Sequence, residues 1–212
     1  MTAPGPTAPE APAAGVAAVV LAAGGGSRFA GDVHKLLQPL WGRPIVAWAV
    51  RAALCAGLAE VAVVEGAVDL APVLPGWAVV LHNPDWAAGQ AGSLRLGLDW
   101  CERRGHRAAV VGLGDQPLVS SDAWRAVAAC EAAPIVVATY AGRRRNPVRL
   151  DRSVWPLLPT VGDEGARVLM AARPDLVAEV ACTGAPLDVD TLEDLAGLEA
   201  VGPSALLGPP PG

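Results

Sequence analysis

The chain has 212 residues, 52% of them apolar and 17% charged, enough for one sizeable core and too apolar for a disordered chain. Its formal charge of -5, from 16 Lys plus Arg against 21 Asp plus Glu, argues against a generic basic nucleic-acid binder. No window approaches the ~18 uninterrupted apolar residues of a membrane span. The best candidate, Val16 to Ala23, breaks at Gly24-Gly25-Gly26 and lacks a basic region before it, so no membrane contact is expected.

Residues 1–15, rich in Ala and Pro, read as a disordered leader, and 202–212, ending in Gly-Pro-Pro-Pro-Gly, as a flexible tail. Between them, 16–201 read as one domain without linker or repeat. Short apolar runs predict strands over Ala17–Ala22, Glu60–Glu65, Trp77–Leu81, Ala108–Leu113 and Ile135–Thr139, with weaker ones near Val148 and Val177. Helices are predicted over Pro44–Ala56, Ala91–Arg103, Ser121–Ala132, Val154–Leu158, Asp163–Ala172 and Thr191–Ala200. Pro44 suits a first turn, and Asp163 and Thr191 suit N-caps. This alternation predicts an α/β fold with a mainly parallel sheet, whose ligands sit beyond the carboxyl ends of the strands. Four well-spaced cysteines (Cys55, Cys101, Cys130, Cys182) show no metal-ligand spacing and read as small core residues in a reducing compartment, with the cytoplasm as default.

Three segments can carry chemistry. The first, Leu21 to Lys35, follows the first strand: its three glycines can point backbone N–H groups at an anion, and Arg28 and Lys35 add two cations. Lys35 stands out as the single lysine beside fifteen arginines. Neither a P-loop nor a dinucleotide fingerprint fits, since Lys35 is followed by Leu36 and no third glycine stands in register, so a dehydrogenase is disfavoured. In the second segment, Gly112-Leu113-Gly114-Asp115-Gln116-Pro117, a carboxylate at a strand end is placed to hold Mg²⁺ beside phosphates, although Gly-Asp-x-Pro also makes a good turn. In the third, Asp188 and Asp190 point the same way if extended, and Thr191-x-x-Asp194 resembles a capping box. Asp115 with one of these carboxylates would make a two-sided metal site. The three histidines (His34, His82, His106) read as loop or surface residues, and the seven scattered tryptophans as packing.

Together these segments resemble the MobA-like nucleotidyltransferases, most closely the molybdenum cofactor cytidylyltransferase branch, from about Val16 to Glu199. Leu21 to Lys35 is similar to the family's L-A-A-G-x-S-x-R-x-G-x-x-K opening, and Asp115 falls in its G-D-x-P motif. Gly89 to Leu98 is similar to its G-x-x-x-S-L-R-x-G-L segment. Arg145-Asn146-Pro147-Val148, Gly162 to Arg167 and Asp190 to Leu195 also match.

The resemblance implies a three-layer α/β/α Rossmann-like nucleotidyltransferase fold. It also implies a nucleotide site of Leu21, Ala22, Ala23, Gly24, Gly25, Arg28, Lys35, Gly89, Ser93 and Gly114, with Ser93 helping to read the base. Catalysis would fall to Arg28, Lys35 and Asp115, Mg²⁺ to Asp115 and Asp190, and the acceptor to Arg145, Asn146, Asp163 and Arg167. The implied reaction moves a nucleoside monophosphate, with CTP favoured by Ala22-Ala23-Gly24, onto the phosphate of molybdopterin. A molybdoenzyme or maturation partner would receive the product. The sequence departs from the pattern in a longer Arg28–Lys35 spacing, in Phe29-Ala30-Gly31 where Met-Gly is usual, and in the basic run Arg143 to Arg145. That run reads either as a solvated hairpin tip or as a grip on an anionic acceptor. Transfer to another phosphorylated small molecule, such as a sugar or polyol phosphate, and a non-catalytic cofactor carrier are the alternatives.

Overall fold

A computed structural model describes residues 15–31 and 33–202. Most of the leader and tail anticipated above, and Asp32 of the first loop, lie outside them. The elements in chain order are β1 (Val16–Leu21), β2 (Pro39–Leu40), β3 (Arg43–Pro44), α1 (Ile45–Cys55), β4 (Val61–Glu65), β5 (Val79–His82), α2 (Gln90–Arg103), β6 (Ala108–Leu113), α3 (Ser121–Ala129), β7 (Ile135–Tyr140), β8 (Arg143–Asp151), α4 (Arg167–Ala172), β9 (Val177–Ala181) and α5 (Leu192–Val201). Seven strands form one sheet in the order β5-β4-β1-β6-β8-β7-β9, and only β8 runs antiparallel to its neighbours.

Strands β1, β4, β6 and β7 are buried on both faces, which explains why they are continuous apolar runs. Along β1, Ala18 and Val20 face a core completed by α1, α3 and α5. Ala17, Val19 and Leu21 face the opposite core, completed by α2, α4 and the 3₁₀ segment Arg152–Leu157. The result is a three-layer α/β/α architecture with a mixed, mainly parallel sheet. From β1 the chain winds outward to β4 and β5, then returns across β1 to form β6. The carboxyl end of β1 is therefore the switch point at which such sheets open a ligand crevice.

All seven sheet strands overlap the predicted ones, although β8 reaches back from Val148 through the polar Arg143 to Asn146; the two-residue β2 and β3 are too short for periodicity to reveal. Several helix ends differ. Pro44 belongs to β3 with an extended ψ of 142° and precedes α1 rather than opening it. The helix expected over Val154–Leu158 is instead part of the 3₁₀ segment Arg152–Leu157, with Pro156 inside it unable to donate an α-helical hydrogen bond. Asp163 caps nothing: α4 starts only at Arg167, after Ala166. Thr191 does cap α5, its hydroxyl accepting from Asp194 N–H while the Asp194 carboxylate accepts from Thr191 N–H. Cys101 is core, with its thiol pushed up to about 12 by burial, but Cys55 is exposed on α1.

Candidate nucleotide and metal site

At the switch point lies a cleft of about 380 Å³ lined by Leu21 to Arg28, Lys35, Leu36, Trp86, Ala87, Gly89, Gln90, Ser93, Leu113, Asp115, Asp163 and Asp190. The glycine segment leaves β1 as an irregular loop, returns through a turn in which Phe29 N–H donates to Gly26 O, and meets a 3₁₀ turn at Lys35–Leu37. Among the described residues, none of the N–H groups of Gly24 to Arg28 has a hydrogen-bond partner. A row of unspent donors above a cleft is the feature that cradles an anion.

His34 holds this loop. Its Nε2 donates to Gly24 O at 3.0 Å while its Nδ1 accepts from Leu36 N–H at 3.3 Å, so the imidazole bridges the glycine loop and the Lys35 turn as the neutral ring. Burial, foremost, lowers its pKa and favours that form. Trp86 supports the loop from beneath. A Cβ on Gly25 would lie 2.9 Å from its ring and one on Gly66 2.5 Å from its Cβ, so both positions require glycine for the indole to fit. Gly89, at φ 115°, turns the chain into α2 beneath the Gly162–Asp163 loop, where Gly162 O accepts from Ala91 N–H.

The charged centre joins three distant parts of the chain. Lys35 Nζ donates to Asp115 Oδ2 at 2.7 Å and to Asp190 Oδ1 at 2.9 Å, and Arg28 Nη1 donates to Asp190 Oδ2 at 2.8 Å. Lys35 is 8% exposed. Burial works against its charge, but Asp115 and then Asp190 outweigh that and hold its pKa above the ordinary lysine range. Two further bonds bring the carboxylates together: Val189 N–H donates to Asp115 O, and Gln116 Nε2 donates to Asp188 Oδ1 at 2.8 Å. With Val189 wholly buried between them, Asp188 and Asp190 do share a side. Burial, reinforced by the neighbouring Asp115 and Asp190, raises the Asp188 carboxyl above its usual range despite the Gln116 bond.

Two carboxylates from different segments thus converge on one cation-sized point, a donor set that suits Mg²⁺. That ion characteristically takes one or two carboxylates and fills its remaining positions with water and substrate phosphates. Among the described residues no group of three or more metal-ligating side chains forms a closed cage.

Leu21, Ala22, Ala23, Gly24, Gly25, Arg28, Lys35, Gly89, Ser93, Asp115, Asp163 and Asp190 all line the cleft. Gly114 does not; its N–H donates to Leu21 O, and a Cβ there would lie 2.9 Å from Ala22 Cβ, so it lets β6 close against β1. Arg145, Asn146 and Arg167 also lie outside the wall. Arg145 and Asn146 open antiparallel β8 and therefore sit at the same end of the sheet as the cleft. The tip Arg143 to Arg145 is exposed, with Arg144 Nε donating to Glu179 at 2.7 Å.

Sequence reasoning misplaced His106, which is fully buried at the opposite end, its Nε2 2.8 Å from Glu60. It also missed Trp86 as cleft lining and the Asn83–Ser93 bond behind the wall. In the latter, Nδ2 donates to Ser93 Oγ at 2.9 Å.

A loop whose N–H groups have no partner among the described residues, two cations and a pair of carboxylates thus meet at the head of a mainly parallel sheet. The chain belongs to the MobA-like NTP transferase domain family, whose pattern matches residues 18–177. It is 30% identical over 190 residues to the purine catabolism protein PucB of Bacillus subtilis, a match covering 82% of this chain and 92% of that one. It is 39% identical over 74 residues, a third of either chain, to the 2-C-methyl-D-erythritol 4-phosphate cytidylyltransferase of a Synechococcus. The crystal structure of Rv0371c from Mycobacterium tuberculosis superposes with a TM-score of 0.79 at 29% identity, covering 89% of this chain and 98% of that one. The same protein is also known in complex with manganese, with a TM-score of 0.73.

Proposed function

We propose that this protein transfers CMP from CTP to the phosphate of molybdopterin, releasing pyrophosphate, with Mg²⁺ held by Asp115 and Asp190. One observation carries the reading: both carboxylates lie within 3 Å of one atom, Lys35 Nζ, in a cleft also lined by Gly24 to Arg28, whose N–H groups have no partner among the described residues. The manganese complex of a structural neighbour and the cytidylyltransferase among the relatives support a divalent cation and CTP, respectively.

The acceptor is a phosphate monoester, whose second pKa near ~6 leaves it largely ionised at neutral pH. It attacks the α-phosphorus in line, the bond to the bridging oxygen breaks, and pyrophosphate leaves with that electron pair. The chain therefore supplies no general base, and its work is positioning and charge neutralisation. The N–H groups of Gly24 to Arg28 bind phosphate oxygens, and Ala22, Ala23, Trp86 and Ser93 flank the base. Asp115 and Asp190 would hold the divalent ion, which would neutralise charge on the triphosphate, and Lys35 and Arg28 would bind its phosphate oxygens. Asp163, Arg145, Asn146 and Arg167 face the acceptor, with the basic tip drawing in its charge.

Pyrophosphate release by the purified protein with Mg²⁺, molybdopterin and each of CTP, GTP, ATP and UTP tests this. Release with CTP alone is expected. Release only when a sugar or polyol phosphate replaces molybdopterin would move the acceptor to that class. Nucleotide-independent binding of molybdopterin without turnover would make the protein a carrier.

A further inference from the structure

Behind the cleft wall two polar side chains are buried together. Asn83, just beyond β5, is 6% exposed, and Ser93, in the second turn of α2, is 3% exposed. The Asn83 amide has one possible orientation: its Oδ1 accepts from Asp85 N–H at 3.0 Å, so its Nδ2 must be the atom 2.9 Å from Ser93 Oγ. Nδ2 can only donate, so the Ser93 oxygen is here an acceptor. Its single hydrogen cannot point at Asn83, and among the described residues nothing else accepts it. Ser93 lines the cleft, where a ligand can supply the acceptor that this hydrogen lacks.

We infer that Asn83 is a positioning residue that fixes the Ser93 hydroxyl as a donor towards the nucleotide base, so that the site selects a base presenting an acceptor there, such as the O2 or N3 of cytosine. Asn83 itself touches no substrate and acts through Ser93. The inference rests on the reading that Ser93 faces the base.

The test is calorimetric binding of CTP and, as a ligand without a base, of inorganic tripolyphosphate, each with Mg²⁺. Asn83→Asp keeps the shape but makes both side-chain atoms acceptors, turning the serine hydrogen away from the cleft. It is expected to weaken CTP about tenfold, as Ser93→Ala does, and to leave tripolyphosphate within about twofold. In the Ser93→Ala background Asn83→Asp should add nothing. Asn83→Ala removes the constraint without adding charge and should weaken CTP about threefold, which keeps the test available if the aspartate variant does not fold. Wild-type CTP binding by the Asn83 variants, with Ser93→Ala impaired, would overturn the inference. So would an equal loss of CTP and tripolyphosphate, which would make Asn83 merely structural. Wild-type binding by Ser93→Ala would instead remove the base-side reading on which the inference stands.

Discussion

The two ends of the sheet each carry a charged cluster, and they are built on opposite plans. At the amino end, Glu60 takes Arg104 on both oxygens, at 3.0 and 2.5 Å, and His106 at 2.8 Å, with His106 wholly buried beside Trp100. At the carboxyl end, Asp115 and Asp190 share one lysine, assisted by an arginine whose side chain is 78% exposed, beside an open cleft. A carboxylate can accept about four hydrogen bonds, so this pair retains capacity where a ligand can reach it. Pairing alone does not separate glue from machinery; access to a cleft and the ability to exchange partners do.

The largest expected difference is in turnover. Asp115→Asn or Lys35→Ala should reduce steady-state pyrophosphate release by about 100- to 1000-fold. Near-wild-type rates in either variant would erase the contrast. The amino end should behave conversely. His106→Ala should cost about 2–3 kcal/mol in denaturant unfolding, because it leaves a cavity and takes a hydrogen bond from the partly buried Glu60, with kcat within about twofold. Smaller in size but sharper in meaning is the exchange of partners: without nucleotide, Lys35→Ala should bind Mn²⁺ about tenfold more tightly, since Nζ no longer competes for the same oxygens.

The smallest effect concerns acid. Hydrogen bonds from Arg104, then from His106, hold the Glu60 carboxyl below its ordinary value of 4.5 despite partial burial. With its folded pKa depressed, Glu60 contributes stability fully above that value and loses it as pH falls through the lowered native value. The stability gap between wild type and Glu60→Gln should therefore be constant above about pH 5 and shrink below it.

Much of this organisation was legible because it depends on local chemistry. Strands buried on both faces are apolar runs in any register, and the Thr191–Asp194 box caps a helix wherever it stands. The loop glycines, the two cations and Asp115 stand out by their order along the chain, and the structure brings them to one cleft. What stayed hidden depends on partners distant in sequence. His106 looked like a surface histidine because its carboxylate lies 46 positions away. Asp163 has the chemistry of a cap, but its loop runs to the cleft and the helix begins only at Arg167. Trp86 resembled any packing tryptophan until Gly25 and Gly66 placed its ring under the loop. Nor could spacing show that Lys35, 80 residues from Asp115 and 155 from Asp190, pairs with both.

A single divalent-cation site formed by Asp115 and Asp190 and completed by nucleotide phosphates is the centre of the proposed function. Electron paramagnetic resonance titration with Mn²⁺, with and without CTP, on wild type, Asp115→Asn and Asp190→Asn tests it most directly. One bound ion that CTP tightens in the wild type, and that either substitution abolishes, is the predicted result. Mn²⁺ binding that is indifferent to both substitutions, or to CTP, would contradict it.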